Sequence, residues 1–392
     1  MSQDPVVIVA AQRTPLGGFQ GALSPVKATD LSAVATRAAL DGCGLDTGAI
    51  DEVILGCVLP AGLGQAPARQ AALAAGLPKN VPCTTVNKVC GSGMKTTMLG
   101  HDLILAGSAN IVVTGGMESM SNAPYLMPKA RSGYRMGHQE VLDHMFFDGL
   151  QNADDGNMMG FFAEVTAGKY GFSRQAQDDF AIASVTRARA AIKEGRFQNE
   201  IAPVTVKTRK DEYEVSEDEG PGNADIEKIP TLKPVFKNDG TVTAASSSSI
   251  SDGAATLILM RESDAGKRGA KALATIAGHS AFAHEPEWFT TAPVHAIRAL
   301  QEQLCWGVDD VELYEINEAF ACVTMAAMKD LSIDHEKVNV NGGACALGHP
   351  IGASGARIIV TLLHALQSRG GGKGIASLCI GGGEAVAIGI EV

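Results

Sequence analysis

The chain has 392 residues, 45% of them apolar, and a formal net charge of −11 at neutral pH. This length allows two or three domains with sizeable cores. The acidic balance disfavours nucleic acids and anionic membranes as partners, because an acidic surface repels phosphate groups. No stretch is long and apolar enough to span a bilayer, and the segment MSQDPVVIVAAQRTP lacks the basic region of a signal peptide. We therefore expect a soluble, cytoplasmic protein.

In the first third of the chain, strand and helix patterns alternate. Strands are predicted for PVVIVAAQR, IDEVILGCVL, VPCTTVNKVC and NIVVTGG, and helices for ATDLSAVATRAALDGCGL, ARQAALAAGLP and GSGMKTTMLGHDLILAG. The first helix has Thr29 or Asp30 as a plausible N-cap and Gly44 near its end. Alternation of this kind predicts an α/β fold with a largely parallel sheet.

The pattern changes at residue 117. Residues 117 to about 247 are rich in methionine, glycine and polar side chains. This composition predicts an inserted loop domain. One clear helix, SRQAQDDFAIASVTRARAAIKEGRF, begins after Ser173 as its predicted cap. The acidic stretch KDEYEVSEDEGPGNADIEK is interpreted as a solvated loop.

A faint internal repeat relates the two ends of the chain. The order strand, glycine-rich turn, helix, strand occurs around VNKVCGSG and again around VNVNGGACALGHPIGASG. The repeat predicts two similar α/β halves. The N-terminal half is residues 1–116, completed by about 248–270, and the C-terminal half is residues 271–392.

Cys90 is the first candidate for chemistry. Most of the eight cysteines are expected to be reduced core thiols, since none forms a CxxC pair or a zinc-finger spacing. Cys90, however, lies between a strand end and a glycine-opened helix. Backbone N–H groups and the helix dipole at that place favour a thiolate and predict a lowered pKa. From the residues alone, a nucleophile and a core thiol remain equally open interpretations.

Three further residues occupy unusual runs. His349 lies between Gly348 and Pro350 in a fifteen-residue run with five glycines, which favours a rigidly held general base over an exposed turn histidine. Cys379 ends a predicted strand before three glycines, and we expect it to occupy the place in the second half that Cys90 has in the first. Asn317 precedes a helix, where it could be an N-cap or hold a water. The chain contains neither GxGxxG nor GxxxxGK[ST], so a nucleotide-binding site of either kind is disfavoured.

Five runs in order resemble the thiolase family over essentially the whole chain: NKVCGSGMK, GGMESMSNAPY, NEAFA, NGGACALGHPIGASGAR and CIGGGEA. The first two resemble the acetyl-CoA acetyltransferases of that family. The resemblance implies an α/β fold of two βαβαβαββ halves in a five-layered αβαβα sandwich with an inserted loop domain. It further implies a homotetramer, a dimer of dimers, that uses acyl-CoA substrates and requires no metal or redox cofactor.

The resemblance also implies roles for individual residues. Cys90 would be the acylated nucleophile, which His349 activates. Cys379 would move the proton on the α-carbon, and Asn317 would orient a water in one oxyanion site. The backbone N–H groups of Cys90 and Gly381 would form the other oxyanion hole.

The implied coenzyme A contacts lie elsewhere in the chain. Ser248 would contact the pantetheine part, and Met159 and Phe320 would line its tunnel. Met158 departs from the family pattern, since many relatives have histidine there.

The expected reaction is the reversible joining of two acetyl-CoA molecules into acetoacetyl-CoA and free coenzyme A. A 3-ketoacyl-CoA thiolase of broader chain length, acting in fatty-acid degradation, is the nearest alternative. A carrier-protein-dependent ketoacyl synthase is disfavoured, because such enzymes need no second cysteine like Cys379. A non-catalytic acyl-CoA-binding protein is disfavoured by the presence of Cys90, His349 and Cys379.

Overall fold

The structure is a computed structural model that describes residues 4–392. The first three residues, part of the segment from which the absence of a signal peptide was predicted, lie outside this range. The strands are β1 (Val6–Arg13), β2 (Gly17–Gly18), β3 (Glu52–Gly56), β4 (Cys83–Val86), β5 (Ile111–Ser119), β6 (Tyr125–Leu126), β7 (Leu142–Asp143), β8 (Val204–Lys207), β9 (Glu212–Val215), β10 (Ser251–Arg261), β11 (Ala274–Ala283), β12 (Leu313–Ile316), β13 (Lys373–Ile380) and β14 (Glu384–Glu391).

Helices alternate with these strands in both halves of the chain. In chain order they are α1 (Ala28–Cys43), α2 (Pro67–Ala74), α3 (Ser92–Ala106), α4 (Met159–Tyr170), α5 (Arg174–Lys193), α6 (Glu219–Asn223), α7 (Glu262–Arg268), α8 (Ala292–Leu304), α9 (Ala321–Leu331), α10 (Ala344–Leu347) and α11 (Ser354–Ser368). Across residues 4–392, no helix combines the length and the apolar character that a membrane crossing requires.

The main sheet has a symmetric strand order. Its neighbours are β12-β13-β14-β11-β1-β10-β5-β3-β4, with β2 beside β10. In the first half β3 is parallel to β5, and β10 is antiparallel to both β5 and β1. In the second half β12 is parallel to β13, and β14 is antiparallel to both β13 and β11. The internal repeat in the sequence therefore corresponds to a repeat in the fold. The prediction of a largely parallel sheet is wrong, because most of the strand pairs in the main sheet of residues 4–392 are antiparallel.

The halves join where β1 meets β11, through only two residue pairs, Val7 with Thr275 and Ile8 with Ala274. Helices α3 and α11 pack against each other between the two parts of the sheet, in one apolar core that includes Met94 and Ile358. Helices α1 and α2 cover the outer face of the first half, and α8 covers that of the second. The predicted five-layered thiolase-like sandwich is confirmed.

Local expectations had mixed outcomes. Ser173 caps α5, accepting a hydrogen bond from the N–H of Ala176 at 3.1 Å, and Gly44 ends α1 with a φ of +65°. The prediction of Thr29 or Asp30 as the cap of α1 is wrong, because the helix already begins at Ala28.

The solvated-loop interpretation of the acidic stretch is also wrong in part. Asp218 is buried and forms an ion pair with buried Arg13, at 2.7 Å between Oδ1 and Nη1. Glu219 accepts hydrogen bonds from the N–H groups of Gly18 and Ala22, both at 3.0 Å. Asp218 and Glu219 thus attach the inserted loop domain to the first half, because buried carboxylates require partners of this kind.

Candidate active site

The turn that carries Cys90 is strained and tightly fixed. Val89 has a φ of +44°, which a β-branched residue rarely adopts and which costs on the order of 1–3 kcal/mol. The side chain of Asn87 accepts a hydrogen bond from the N–H of Val89 at 2.9 Å. The Ser92 hydroxyl accepts from the N–H of Lys88 at 2.8 Å and donates to the carbonyl of Val89 at 2.7 Å. These contacts hold Cys90 between β4 and the start of α3.

Backbone N–H groups of Gly381 and of Cys90 itself interact with the sulfur of Cys90, and both act to lower its pKa. The close approach of the two halves here depends on Gly91. A Cβ at this position would lie 2.4 Å from Cδ1 of Ile380, at the end of β13. A pair of N–H groups around a reacting atom is the arrangement that stabilises an oxyanion.

The predicted lowering of the Cys90 pKa is wrong for the resting protein. Burial raises it to about 11, which outweighs the two N–H groups, and the charge of Glu118 raises it further. The sulfur lies against apolar walls, where the charged form loses its hydration. Cys90 is therefore a neutral thiol at neutral pH, and another group must take its proton at the moment of attack.

His349 is held by the loop that leads into α11. Gly348 has a φ of +105°, and a Cβ there would lie 2.1 Å from the hydroxyl oxygen of Ser251, so glycine is required. The hydroxyl of Ser354 donates to the carbonyl of Pro350 at 2.9 Å, and its oxygen lies 2.5 Å from Nδ1 of His349. Since this hydroxyl proton is already used, Nδ1 carries the imidazole proton and Nε2 is left free to accept one.

The imidazole of His349 is neutral over the ordinary pH range. Burial lowers its pKa from 6.5 to about 3, and the nearby charge of Arg357 lowers it further. Cys90 and His349 thus form a neutral thiol and imidazole in one cavity rather than a thiolate–imidazolium pair.

Asn317 is not the N-cap of the following helix. Helix α9 begins at Ala321 with Phe320 as its cap, so the N-cap interpretation is wrong. The side chain of Asn317 is buried, with Nδ2 3.5 Å from Nε2 of His349. Its Oδ1 has no hydrogen-bond partner among the described residues, which leaves a buried acceptor at the site.

Cys379 approaches the site from the second half. It lies inside β13, whose counterpart in the first half is β5, so its assignment to the place equivalent to Cys90 is wrong. The two cysteines are nevertheless close enough for the charge of Cys90 to raise the pKa of Cys379, which burial already raises well above its usual range. Cys379 is fully buried, at the end of an apolar cluster with Phe320 and Cys322.

Glu118 and Ser354 belong to the site but were not predicted from the sequence. Both lie inside distinctive runs, GGMES and GASGAR, and that is the only signal the sequence offers. The buried carboxylate of Glu118 accepts from the N–H groups of Val58 at 3.0 Å, Leu59 at 3.1 Å and Gly352 at 2.9 Å. Burial still raises its pKa to about 7. Glu118 thereby ties the end of β3 to the loop of His349.

A cavity of about 370 Å³ connects these groups to the surface. Cys90, His349 and Gly381 line it, whereas Cys379 and Asn317 do not line it but lie next to Cys90 and His349 respectively. The predicted coenzyme A contacts Ser248, Met159 and Phe320 all line the same cavity, together with Met158 and Phe289. The walls are mostly apolar, with polar groups from residues 247–249 on one side. Such a cavity suits a long, thin ligand with a few polar groups.

The fold and this site define a thiolase. Residues 6–263 match the family described as "Thiolase, N-terminal domain", and residues 270–392 match "Thiolase, C-terminal domain". The chain belongs to the thiolase family.

Several relatives match over nearly their full length. The chain is 49% identical to an acetyl-CoA acetyltransferase of Pseudomonas aeruginosa over 386 residues, 98% of each chain. It is also 49% identical to one of Escherichia coli over 387 residues, again 98% of each.

Among solved structures, an acetyl-CoA acetyltransferase of Bacillus anthracis superposes with a TM-score of 0.97 at 43% identity, covering 99% of this chain and 98% of that one. The Acat5 thiolase of Ascaris suum, solved in complex with coenzyme A, gives 0.94 at 42% identity and covers 99% of each.

Proposed function

We infer that this protein is an acetyl-CoA acetyltransferase, which condenses two acetyl-CoA molecules to acetoacetyl-CoA and coenzyme A and catalyses the reverse thiolysis. The observation that carries the inference is the setting of Cys90. Its sulfur faces two backbone N–H groups and shares a cavity with a neutral imidazole whose Nε2 is free. Full-length relatives named acetyl-CoA acetyltransferase support the substrate class.

In the acylation step the sulfur of Cys90 attacks the thioester carbonyl carbon. The thiol proton passes to Nε2 of His349 as the S–C bond forms, so no separate charged pair is needed at rest. The carbonyl electron pair moves to the oxygen, which receives hydrogen bonds from the N–H groups of Cys90 and Gly381. When the oxyanion collapses, the bond to coenzyme A breaks, and the leaving sulfur takes the proton from His349.

In the thiolysis direction Cys379 supplies a second proton. Cys90 attacks the keto carbon of acetoacetyl-CoA, and the carbon–carbon bond breaks with its electron pair on the α-carbon. Cys379 is a neutral thiol because its pKa lies well above the usual range, and it protonates that carbon. The incoming coenzyme A thiol then restores the proton to Cys379 as its sulfur attacks the acetyl group. The bond from that group to Cys90 breaks, and the Cys90 sulfur takes back from His349 the proton that it gave up on attack. In the condensation direction the same proton moves the other way.

Asn317 and His349 together stabilise the enolate oxygen of the second substrate in this proposal. The unpaired Oδ1 of Asn317 accepts from a water, and that water and Nε2–H of protonated His349 donate to the oxygen. Developing charge next to a thioester requires donors of this kind.

Coenzyme A is a substrate here, and its pantetheine arm lies along the cavity wall formed by Ser248, Met159 and Phe320. Met158 lies on the same wall and supplies an apolar contact where many relatives have an imidazole. The acetyl group is transferred without any change of oxidation state, so the chemistry requires neither a metal nor a redox cofactor.

The test is mass spectrometry of the protein mixed with acetyl-CoA. We expect one added acetyl group on Cys90 within a single turnover and none in Cys90→Ser, whose hydroxyl remains protonated at neutral pH. Cys379→Ala is expected to keep this acylation and to lose carbon–carbon bond formation. If Cys90→Ser kept a tenth of wild-type thiolysis, or if Cys379→Ala lost both steps equally, these assignments would be wrong.

Substrate length is tested by thiolysis of a series of 3-ketoacyl-CoA molecules. The rings of Phe289 and Phe320 line the same cavity as Cys90 and reduce its free space. We expect kcat/KM to be greatest for the four-carbon substrate. A maximum at longer chains would support the broader-range thiolase of fatty-acid degradation instead.

We further propose that the enzyme is cytoplasmic and that it assembles as a homotetramer. All eight cysteines are free thiols, as a reducing compartment favours. The segment between β6 and β7, residues 127–141, exposes large apolar side chains, including Met127 at 54% and Met136 at 82%. Such exposure favours burial of this segment against another subunit. Light scattering after gel filtration would test the assembly, and a monomer at micromolar concentration would overturn it.

A further inference from the structure

A cluster of metal-ligating side chains lies outside the cavity described above. His101 and Asp102 come from α3 and His279 from β11, and one ligand atom of each lies within 4.8 Å of those of the other two. We propose that these three side chains form a binding site for one divalent transition-metal ion of the Zn²⁺ and Co²⁺ class.

The distances suit a tetrahedral ion. Oδ1 of Asp102 lies 2.9 Å from Nε2 of His279 and 3.3 Å from Nδ1 of His101. Ligands held about 2.0–2.1 Å from Zn²⁺ in a tetrahedron are separated from one another by about 3.3 Å. Two edges of the tetrahedron are therefore nearly formed, and only the two imidazoles must approach each other. Their rings already pack edge to face, with centroids 5.2 Å apart.

The protonation states also suit a cation. Burial lowers the pKa of His101, so its imidazole is neutral at neutral pH. Its Nδ1 becomes a ligand atom once the ring proton moves from Nδ1, where it bonds to Asp102, to Nε2. Burial acts to raise the pKa of Asp102, but its hydrogen bonds to the two histidines lower it overall, so the carboxylate is charged. Arg261 opposes binding, because its charge lowers the pKa of His101, although its guanidinium also donates to the carbonyls of Ile104 and Leu105. Two imidazoles and a carboxylate with water in the fourth position are a ligand set that Zn²⁺ accepts.

The surroundings leave room for that water. The cluster opens on a groove of about 310 Å³, which β11 and the side chain of Gln303 also line. His101 is 8% exposed, whereas the Asp102 side chain is 52% exposed, so an ion can enter from the carboxylate side. The net charge of −11 favours any cation near the surface.

A bound ion would join the two halves of the fold. Helix α3 belongs to the first half and begins two residues after Cys90, while β11 opens the second half. His101 lies nine residues beyond Ser92, about 14 Å along the helix axis from the catalytic turn. The site is thus structural, and the acetyl transfer proposed above does not depend on it.

The test uses the full-length protein freed of metal by a chelator and titrated with Co²⁺ and, separately, Zn²⁺. We expect one Co²⁺ per chain, with visible d–d absorption and no thiolate charge-transfer band, and a higher Tm with Zn²⁺. His279→Gln and Asp102→Asn should each weaken binding by about tenfold or more, since each removes a ligand. His138→Gln, at an exposed histidine, is the matched control and should bind as the wild type does.

Three results would overturn the proposal. The first is a thiolate charge-transfer band, which would place the Co²⁺ ion on the cysteines. The second is equal metal affinity in the wild type and His279→Gln. The third is that neither ion binds at all. Thiolysis by the metal-free protein should be unchanged, which separates this test from that of the acetyltransferase assignment. Unchanged thiolysis in His279→Gln also shows that the variant is folded.

Discussion

The side-chain nitrogen Nδ2 of Asn317 lies 3.5 Å from Nε2 of His349, and its Oδ1 meets no partner anywhere in residues 4–392. A buried acceptor without a partner costs free energy unless a water satisfies it. This pair therefore marks the place where a water enters the site.

Asn317→Ala should slow condensation by about 10²-fold, because the ordered water and its hydrogen bond to the enolate oxygen are lost. Acetylation of the protein by acetyl-CoA should persist, since that step uses the N–H groups of Cys90 and Gly381. Rapid-quench measurement of both steps on one sample would test this. Asn110→Ala, the same change at an exposed position, is the control. Equal slowing of both steps would contradict the role.

Ser354→Ala removes the acceptor that holds the proton on Nδ1 of His349. The imidazole can then rotate or change tautomer, so Nε2 is correctly presented only part of the time. We expect kcat to fall by about tenfold or more with KM little changed. Ser368→Ala lies on the same helix and removes a hydroxyl that bonds only to the carbonyl of Ala365, so it is a matched control. Similar kcat values for the two variants would dismiss the positioning role.

The stability of the protein should depend on pH through His349. Its pKa is lowered from 6.5 to about 3, so between these values the unfolded chain binds a proton that the folded chain does not. The free energy of unfolding must then fall as the pH falls through this window, by up to about 1.4 kcal/mol per pH unit for this one group.

Urea unfolding of wild type and His349→Asn between about pH 5 and pH 6 isolates this contribution. Glu118 and Glu315 have raised pKa values and act in the opposite direction, but they are present in both proteins and cancel in the comparison. The variant should show a shallower decline on acidification than the wild type. Parallel curves for wild type and His349→Asn would refute the buried neutral state.

Glu118→Gln should destabilise the protein by about 1–3 kcal/mol and lower kcat. Both carboxylate oxygens accept backbone N–H groups, and the amide would turn its NH₂ toward at least one of them. Gly352, three residues after His349, would lose its anchor. Thermal unfolding and thiolysis kinetics measure the two effects, with Glu302→Gln, at an exposed position of α8, as the control. A Tm equal to that of the control would show that the network tolerates the amide.

Much of this site was predictable, because Cys90, His349 and Cys379 lie in runs whose composition has no simple packing explanation. The protonation state of Cys90 was not predictable. The helix N-terminus lowers the pKa of the thiol and burial raises it, and only coordinates show how deeply the sulfur is buried. The role of Glu118 was equally hidden. Its partner Gly352 is 234 residues away in the chain, and no local pattern records a contact of that separation.

Asn317 shows a further limit of local reasoning. An asparagine between a strand and a helix is a good N-cap, and the sequence supports that interpretation as well as any other. The helix begins four residues later, and this displacement leaves the side chain free for the site.

The proposed catalytic groups are divided between two halves, which the sheet of residues 4–392 joins through two residue pairs. The thiol proposed to carry the acetyl group comes from one half, and the imidazole and the second thiol come from the other. If the repeat descends from a duplicated ancestor, a single ancestral copy could not have assembled this chemistry alone. Two copies would have had to associate face to face, and fusion of their genes would have made that encounter permanent. The same division predicts that separately expressed halves would be inactive apart and could recover activity only on association.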